Sequence, residues 1–259
     1  MLVDESGIPK QGQHSAGVAR QSCGALGKIC SRHVGVFLGY ASCKGYTLLS
    51  GHLFVPEDWF SDQMADLRAE VGWLPELSFQ TKSEIAIGLV HAWSALDRLP
   101  ARWVAADALY GNAPALRDAV DQLGLWYFTE VSCDQLIWRR SPALIGSANA
   151  PYRVDGLLWR VPKTAWARAT IKEGSKGPIV CEFAFVRVNA ARDGLPHRRQ
   201  WLVIRRNLDE PTVVKYYLSN APETTSLGCR TSVDGGDVLS TSQPCCLPLA
   251  PQAYARSSR

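Results

Sequence analysis

The hydrophobic pattern of the first half of the chain alternates between strand-like and helix-like periods. Residues 34–40 and 46–55 are apolar, partly alternating runs separated by a turn at Gly45, which predicts an antiparallel hairpin. Residues 81–100 carry apolar side chains at helical spacing and begin with residues that can cap a helix. Residues 56–75 start with Pro and acidic residues and end at Gly and Pro, so a helix is predicted there too.

The next segment predicts a strand, a helix and a second strand. Residues 101–111 contain a short apolar run that ends at Asp107, a helix closing at Gly124 follows, and residues 125–131 form another apolar run. This order is typical of a right-handed parallel crossover, in which functional groups gather at the carboxyl ends of the strands. The first half of the chain is therefore expected to be an α/β core.

The second half of the chain has a different pattern of hydrophobic and polar residues. Short β-like runs separated by Gly, Pro, Asn and Asp turns continue to about residue 220, and the pattern then loses any sustained period. These changes divide the chain into an α/β core at 1–133, a β-rich insertion at 134–227 and an unstructured tail at 228–259.

Composition narrows the class of protein. No run approaches the roughly eighteen apolar residues of a membrane span, and the first twenty residues are too charged for a secretory signal, so a cytoplasmic protein is expected. The eight cysteines include no CxxC pair and no zinc-like spacing with histidine, which favours free thiols. A formal net charge of +4 permits a polyanionic partner without demonstrating one.

Two aspartates are candidates for metal chemistry. Asp4 follows the apolar Leu2 and Val3, and Asp107 follows an apolar strand, so both could project from neighbouring strand ends into one cleft. Two such carboxylates suit Mg²⁺ or Mn²⁺, although an Asp at a strand end is more often a helix cap or a solvated loop residue. Glu5 is the alternative to Asp4, but alternation points their side chains to opposite faces.

Several long strings of the sequence resemble one family in the same order. They are VDESGIPKQGQHSAGVARQSCGALGK, VGVFLGYASCKGYTLLSGHLFVPEDW, LSFQTKSEIA, WVAADALYGNAPALRD, and WLVIRRNL with KYYLSNAP. Over roughly residues 2–227 the chain resembles bacterial insertion-sequence transposases of the IS701 group, which are similar to the DDE transposases. The resemblance implies an RNase H-like mixed sheet with flanking helices, interrupted by a β-rich insertion.

The resemblance also implies an activity and its residues. The first two catalytic acids of the family fall on Asp4 in VDESG and Asp107 in ADALYG, and they would bind Mg²⁺ or Mn²⁺ for cleavage and strand transfer of DNA at transposon ends. The third acid of the family is a Glu in a motif resembling RWxxExxFxxAK, on a helix after YYLSNAP. The sequence contains no such motif, and Glu130 is a poor substitute because the family places this Glu on a later helix.

The chain is expected to be truncated at both ends relative to the family that it resembles. The family normally carries a helical DNA-binding region before the first catalytic strand. If the tail is translated one nucleotide later, synonymous codons permit the Trp and Glu of the missing motif, with the Glu spanning the codons of Gly236 and Asp237. A frameshift near residues 227–232 would explain this, and the chain is then expected to be inactive. The alternative is a non-catalytic remnant that binds DNA or an intact transposase. Besides DNA, the partners expected for the chain are an intact transposase or a second copy of itself.

Three basic residues are candidates for contacts with DNA phosphates. Lys10 and Arg20 flank the loop after Asp4, and Lys82 occupies a helix start, where a cation opposes the macrodipole. The alternative for Lys10 and Arg20 is a solvated loop charge, and for Lys82 a contribution to surface solubility.

Overall fold

The computed structural model describes residues 1–10, 15–23, 28–42, 44–139, 150–174 and 177–224. Within these ranges, twelve strands form one mixed sheet. The strands are β1 (Leu2–Pro9), β2 (Ala19–Cys23), β3 (Lys28–Ser42), β4 (Gly45–Phe54), β5 (Trp103–Ala106), β6 (Trp126–Val131), β7 (Leu136–Trp138), β8 (Tyr152–Arg153), β9 (Trp166–Gly174), β10 (Gly177–Arg192), β11 (Leu195–Asn207) and β12 (Val214–Ser219). The tail predicted to be unstructured, 228–259, lies outside the described residues.

The centre of the sheet has the strand order of an RNase H-like fold. Strand β1 pairs antiparallel with β3, which also pairs with β4, and on its other side β1 runs parallel to β5. Strand β6 extends the parallel part beyond β5. The predicted hairpin corresponds to β3 and β4, and the predicted crossover connects β5 to β6. The expected α/β fold with a mixed sheet and flanking helices is confirmed.

The strands of the second half continue the same sheet. Strand β12 pairs antiparallel with β6, and β11 and β10 follow outward from it. Strand β9 and the short β7 pair with β10. This half therefore extends the hydrogen bonding of the core, while the proposed boundaries of a β-rich insertion stay a prediction.

Four α-helices lie in the described part of the chain: α1 (Ala65–Glu70), α2 (Lys82–Ala95), α3 (Ala108–Gly111) and α4 (Pro114–Gln122). The longest, α2, begins with a capping box in which Thr81 and Glu84 each accept from the other's backbone N–H. It buries Ile85, Ala86 and Val90 in the main core. None of the described helices is long and apolar enough to cross a bilayer.

The sheet has a separate apolar cluster on each of its faces. Val34, Val36 and Leu38 alternate along β3 and are all buried, and Val36 and Leu38 join the main core, to which α2 and α4 contribute. Side chains of the opposite parity on β6, β10, β11 and β12 form the second cluster; its fully buried members are Phe128, Cys181, Phe183, Val203 and Tyr217. We call these the helix face and the second face of the sheet.

The helix predicted at 56–75 is wrong for most of its length. The structure has 3-10 turns at Glu57–Phe60 and Asp62–Met64, and only the six residues of α1 are α-helical. Tertiary contacts outweigh the local pattern here. Trp59 is buried and stacks on Trp73, with 5.8 Å between ring centroids, which favours a compact turn over a continuous helix.

Gly111 provides a test of how α3 packs on the sheet. A methyl group at Gly111 would overlap the backbone carbonyl oxygen of Glu130 in β6 and press on Thr129. We expect Gly111→Ala to lower the free energy of unfolding by about 2–3 kcal/mol, because backbone cannot move aside cheaply. Urea denaturation followed by circular dichroism measures this change.

Gly88→Ala is the matched control for this prediction. Gly88 is exposed in α2, and nothing lies within 4 Å of a Cβ added there. Alanine at this position should raise the free energy of unfolding by about 0.5–1 kcal/mol through helix propensity. Equal effects of the two substitutions would contradict the close contact between α3 and β6.

Candidate active site

Asp4 and Asp107 lie side by side at one edge of the parallel strands. The register of β1 and β5 pairs Val3 with Ala106, so the residues that follow them are also neighbours. Adjacent strands are about 4.8 Å apart, which brings the two carboxylates into one locality although 103 positions separate them in the chain (107 minus 4). The structure thus places together the two aspartates singled out from the sequence.

The local structure holds Asp107 in a fixed orientation. Its Oδ1 caps the short helix α3 by accepting from the backbone N–H of Leu109 at 3.0 Å and of Tyr110 at 3.5 Å. No hydrogen bond from a described residue reaches the other oxygen, Oδ2. Asp107 is therefore a helix cap that still presents a carboxylate oxygen, so the structural and the chemical interpretation are compatible.

The surroundings of both aspartates favour the protonated form. Partial burial raises the pKa of Asp4 to about 6; the N–H of Glu5, which donates to Asp4 Oδ1 at 2.8 Å, opposes the rise, and the charges of Asp107 and Glu5 add to it. Burial likewise raises the pKa of Asp107, against its two capping hydrogen bonds and with the help of Glu130 and Glu5. A divalent cation here would relieve both desolvation and repulsion.

The two flanking glutamates, in contrast, are neutralised by basic side chains. Glu5 pairs with Lys82 at 2.6 Å and with Arg32 at 3.4 Å. Glu130 accepts from Lys215 Nζ at both of its oxygens, at 2.8 and 2.9 Å. By comparison, Asp4 and Asp107 form no ion pair with any side chain that the structure describes.

The three basic residues predicted to contact DNA phosphates differ in their surroundings. Lys82 forms its ion pair with Glu5, and its Nζ lies 5.2 Å from the ring centroid of Phe54. Lys10 is exposed just past the end of β1, where its backbone N–H donates to the Ser31 carbonyl at 2.9 Å. Arg20 belongs to β2, and its side chain lies outside the part that the structure describes.

The carboxylates of Asp4 and Asp107 provide part of the ligand set that Mg²⁺ or Mn²⁺ prefers. These ions prefer oxygen ligands, and Mg²⁺ is often held by one or two carboxylates together with water and substrate phosphates. Asp4 and Asp107 meet that minimum. Across the residues with described side chains, no group of three or more His, Cys, Asp or Glu converges to hold a metal ion.

Lys215 is the neighbour of the site that the sequence did not reveal. It lies 85 residues from its partner Glu130, and it begins the KYYLSNAP string, which does not by itself indicate a contact with Glu130. The sequence could not indicate this pair, because the contact depends on the register of β12 against β6, which is set only in the folded sheet.

The raised pKa of Asp4 predicts how stability changes with pH. The pKa of Asp4 in the folded state, about 6, exceeds the ordinary Asp value of 3.8, so the folded state binds this proton more tightly and the free energy of unfolding falls as the pH rises from 3.8 to about 6. Because Asp4 is partly exposed, solvent screening reduces the effect to about 1 kcal/mol. Asp4→Asn should therefore be more stable than the parent at pH 7, by thermal or urea unfolding.

The comparison of this variant with its parent should be made at pH 4 and at pH 7. The gain from Asp4→Asn should appear mainly at the higher pH. Asp155→Asn is the control, since its hydrogen bond with Arg153 lowers the pKa of Asp155, and its removal should bring no gain at pH 7. A gain from Asp4→Asn that is the same at both pH values would contradict the assigned shift.

Comparison with known proteins agrees with this geometry. The family model described as "DDE superfamily endonuclease" matches residues 1–178, more than two thirds of the chain. No curated protein is a significant match. The matched region includes Asp4 and Asp107 and the parallel strands that carry them. On the strength of that match, the chain belongs to the DDE superfamily endonucleases.

Proposed function

We propose that this chain is the catalytic domain of a DDE transposase of the IS701 group, whose chemistry is metal-dependent cleavage and strand transfer of DNA at transposon ends. The observation that carries the proposal is the register of β1 against β5, which sets Asp4 beside Asp107. Family membership supports DNA as the substrate and a divalent metal ion as the cofactor. The long strings shared with the IS701 group support the narrower assignment.

The proposed reaction assigns metal binding to two residues of this chain. Asp4 and Asp107 would hold Mg²⁺ or Mn²⁺ through their carboxylate oxygens. When bound, the ion supplies activation of a water or 3′ hydroxyl and stabilisation of the leaving oxygen. The hydrogen bonds at Asp107 Oδ1 restrict the rotation of this carboxylate, which preorganises the remaining oxygen. Both aspartates must lose their protons before they bind a cation.

The donor set leaves one catalytic role unfilled. The family pattern requires a Glu in an RWxxExxFxxAK-like motif, and the sequence has none. In the described part of the chain, Glu130 is the carboxylate that follows on the next parallel strand, and Lys215 neutralises it. We therefore propose that the chain has no nuclease activity of its own.

The missing acid also favours a second candidate function. A chain that retains the DDE fold and two of the three acids could bind DNA, or an intact transposase, without cleaving anything. Such a remnant would keep the sheet and its basic residues but would not depend on metal binding at Asp4 and Asp107.

Metal binding is the first test of the leading proposal. We expect isothermal titration calorimetry with Mn²⁺ at pH 7.5 to detect a weak site, and Asp107→Asn to weaken it by about tenfold or more because a ligand is lost. Asp118→Asn is the matched control, since Asp118 pairs with Arg192 away from this site. Equal Mn²⁺ affinity in Asp107→Asn and the parent would refute the assignment of the ligand.

Nicking of supercoiled plasmid in Mg²⁺ or Mn²⁺ tests the proposed lack of activity. The parent chain and Asp107→Ala should both stay at background, because two carboxylates do not complete the catalytic set. Agarose gel electrophoresis separates nicked from supercoiled plasmid. Nicking by the parent that disappears in Asp107→Ala would show a complete site and overturn the proposal of inactivity.

A further inference from the structure

We infer that Lys215 contacts a phosphate of the DNA strand that lies across Asp4 and Asp107, and that Glu130 positions it. The inference rests on the proposed function in taking DNA as the substrate. It adds a substrate-binding residue on β12, beyond the matched region, which ends at residue 178.

The register of the sheet relates Lys215 to the two aspartates. The pairings of Val3 with Ala106, Ala106 with Thr129, and Thr129 with Leu218 define one row across four strands. One residue further toward the carboxyl edge, the row becomes Asp4, Asp107, Glu130 and Tyr217.

Alternation then decides which face these side chains share. Tyr217 is part of the second-face cluster, so its whole row, including both aspartates and Glu130, has second-face parity. Lys215 is two residues from Tyr217 on β12 and has the same parity. Lys215 and the two aspartates therefore share one face and one edge of the sheet.

The ion pair with Glu130 holds Lys215 in place and leaves part of its donor capacity unused. Lys215 Nζ contacts both oxygens of Glu130, at 2.8 and 2.9 Å, and both side chains are partly buried. An ammonium group has three N–H donors, so this arrangement leaves one donor for another acceptor. Glu130 thus restricts a flexible side chain to one place while a donor stays available to a phosphate oxygen.

Binding of a DNA strand beside the aspartates requires a cation on the same face of the sheet. A DNA strand on this face must approach three carboxylates, those of Asp4, Asp107 and Glu130, and a cation at the point of contact lowers the repulsion. Lys82 and Arg32 pair with Glu5, whose parity is that of the helix face. Arg205, directly opposite Lys215 on β11, is buried over the Tyr217 ring. On the face of the aspartates, Lys215 is thus the better placed of these cations.

The experiment measures binding of a fluorescent duplex oligonucleotide by anisotropy in EDTA over a series of salt concentrations. Loss of one phosphate contact should reduce the slope of log K against log salt by about one. We expect this reduction for Lys215→Gln, with weaker binding at low salt, and expect Lys215→Arg to keep the parent slope. Thermal unfolding of each variant shows whether it is folded.

Two control variants separate a contact from a general charge effect. Arg198→Gln removes a cation that also pairs with an Asp, Asp121, at the end of α4 away from the aspartates, and should keep the parent slope. The double variant Lys215→Gln with Glu130→Gln has the formal net charge of the parent and leaves no unpaired Glu130 carboxylate. It should still show the reduced slope, and it serves as the test if Lys215→Gln alone fails to fold.

The outcomes distinguish the inference from the proposal beneath it. Parent-like slopes in Lys215→Gln and in the double variant would overturn the role of Lys215 while leaving DNA binding intact. A reduction of the same size in Arg198→Gln would also overturn it, since the effect would then be one of overall charge. If the parent chain binds no duplex at any salt concentration, DNA as substrate fails, and the inference fails with it.

Discussion

The parallel register of β1, β5 and β6 is the constraint on which the candidate site depends. Backbone hydrogen bonding aligns Val3, Ala106 and Thr129, and the residue that follows each of them in the chain is acidic. A slip of one residue would turn an acid from the second face to the helix face. The buried apolar side chains of Val3 and Ala106 oppose such a slip, because they would then lose their place in the main core. Hydrophobic packing on one face thus sets the arrangement of charge on the other.

The four acidic residues at the candidate site differ in whether a basic side chain compensates their charge. Glu5 and Glu130 each have a lysine partner at hydrogen-bonding distance, whereas Asp4 and Asp107 have raised pKa values and no described basic partner. Uncompensated negative charge is thereby concentrated on the central pair. A partly buried pair of this kind is electrostatically costly for the fold, and it becomes favourable when a divalent cation binds. The same contrast leaves cations at the flanks, where a phosphate backbone would need them.

Sequence patterns were reliable where the signal was local. The cap at Thr81, the start of α2, the hairpin of β3 and β4, and Asp107 at the end of an apolar strand all depend on residues close together in the chain. The pattern failed at 56–75, where stacking of Trp59 on Trp73 outweighed helical propensity over most of the segment. It also gave no sign that the strands after residue 134 continue the sheet of the core, because strand pairing between distant segments has no local signature.

The amino-acid pattern alone was enough to establish the α/β class, the order of the central elements and, through the family resemblance, the identity of two candidate acids. Those features follow from periodicity, capping residues and motif strings, which are written along the chain. Only the folded sheet decided that Glu5 and Glu130 are neutralised, that the capping residue Asp107 lies beside Asp4, and that Lys215 lies on the face of the aspartates. These features depend on strand register and burial, because residues as distant in the chain as Glu130 and Lys215 come into contact only when their strands pair in one sheet.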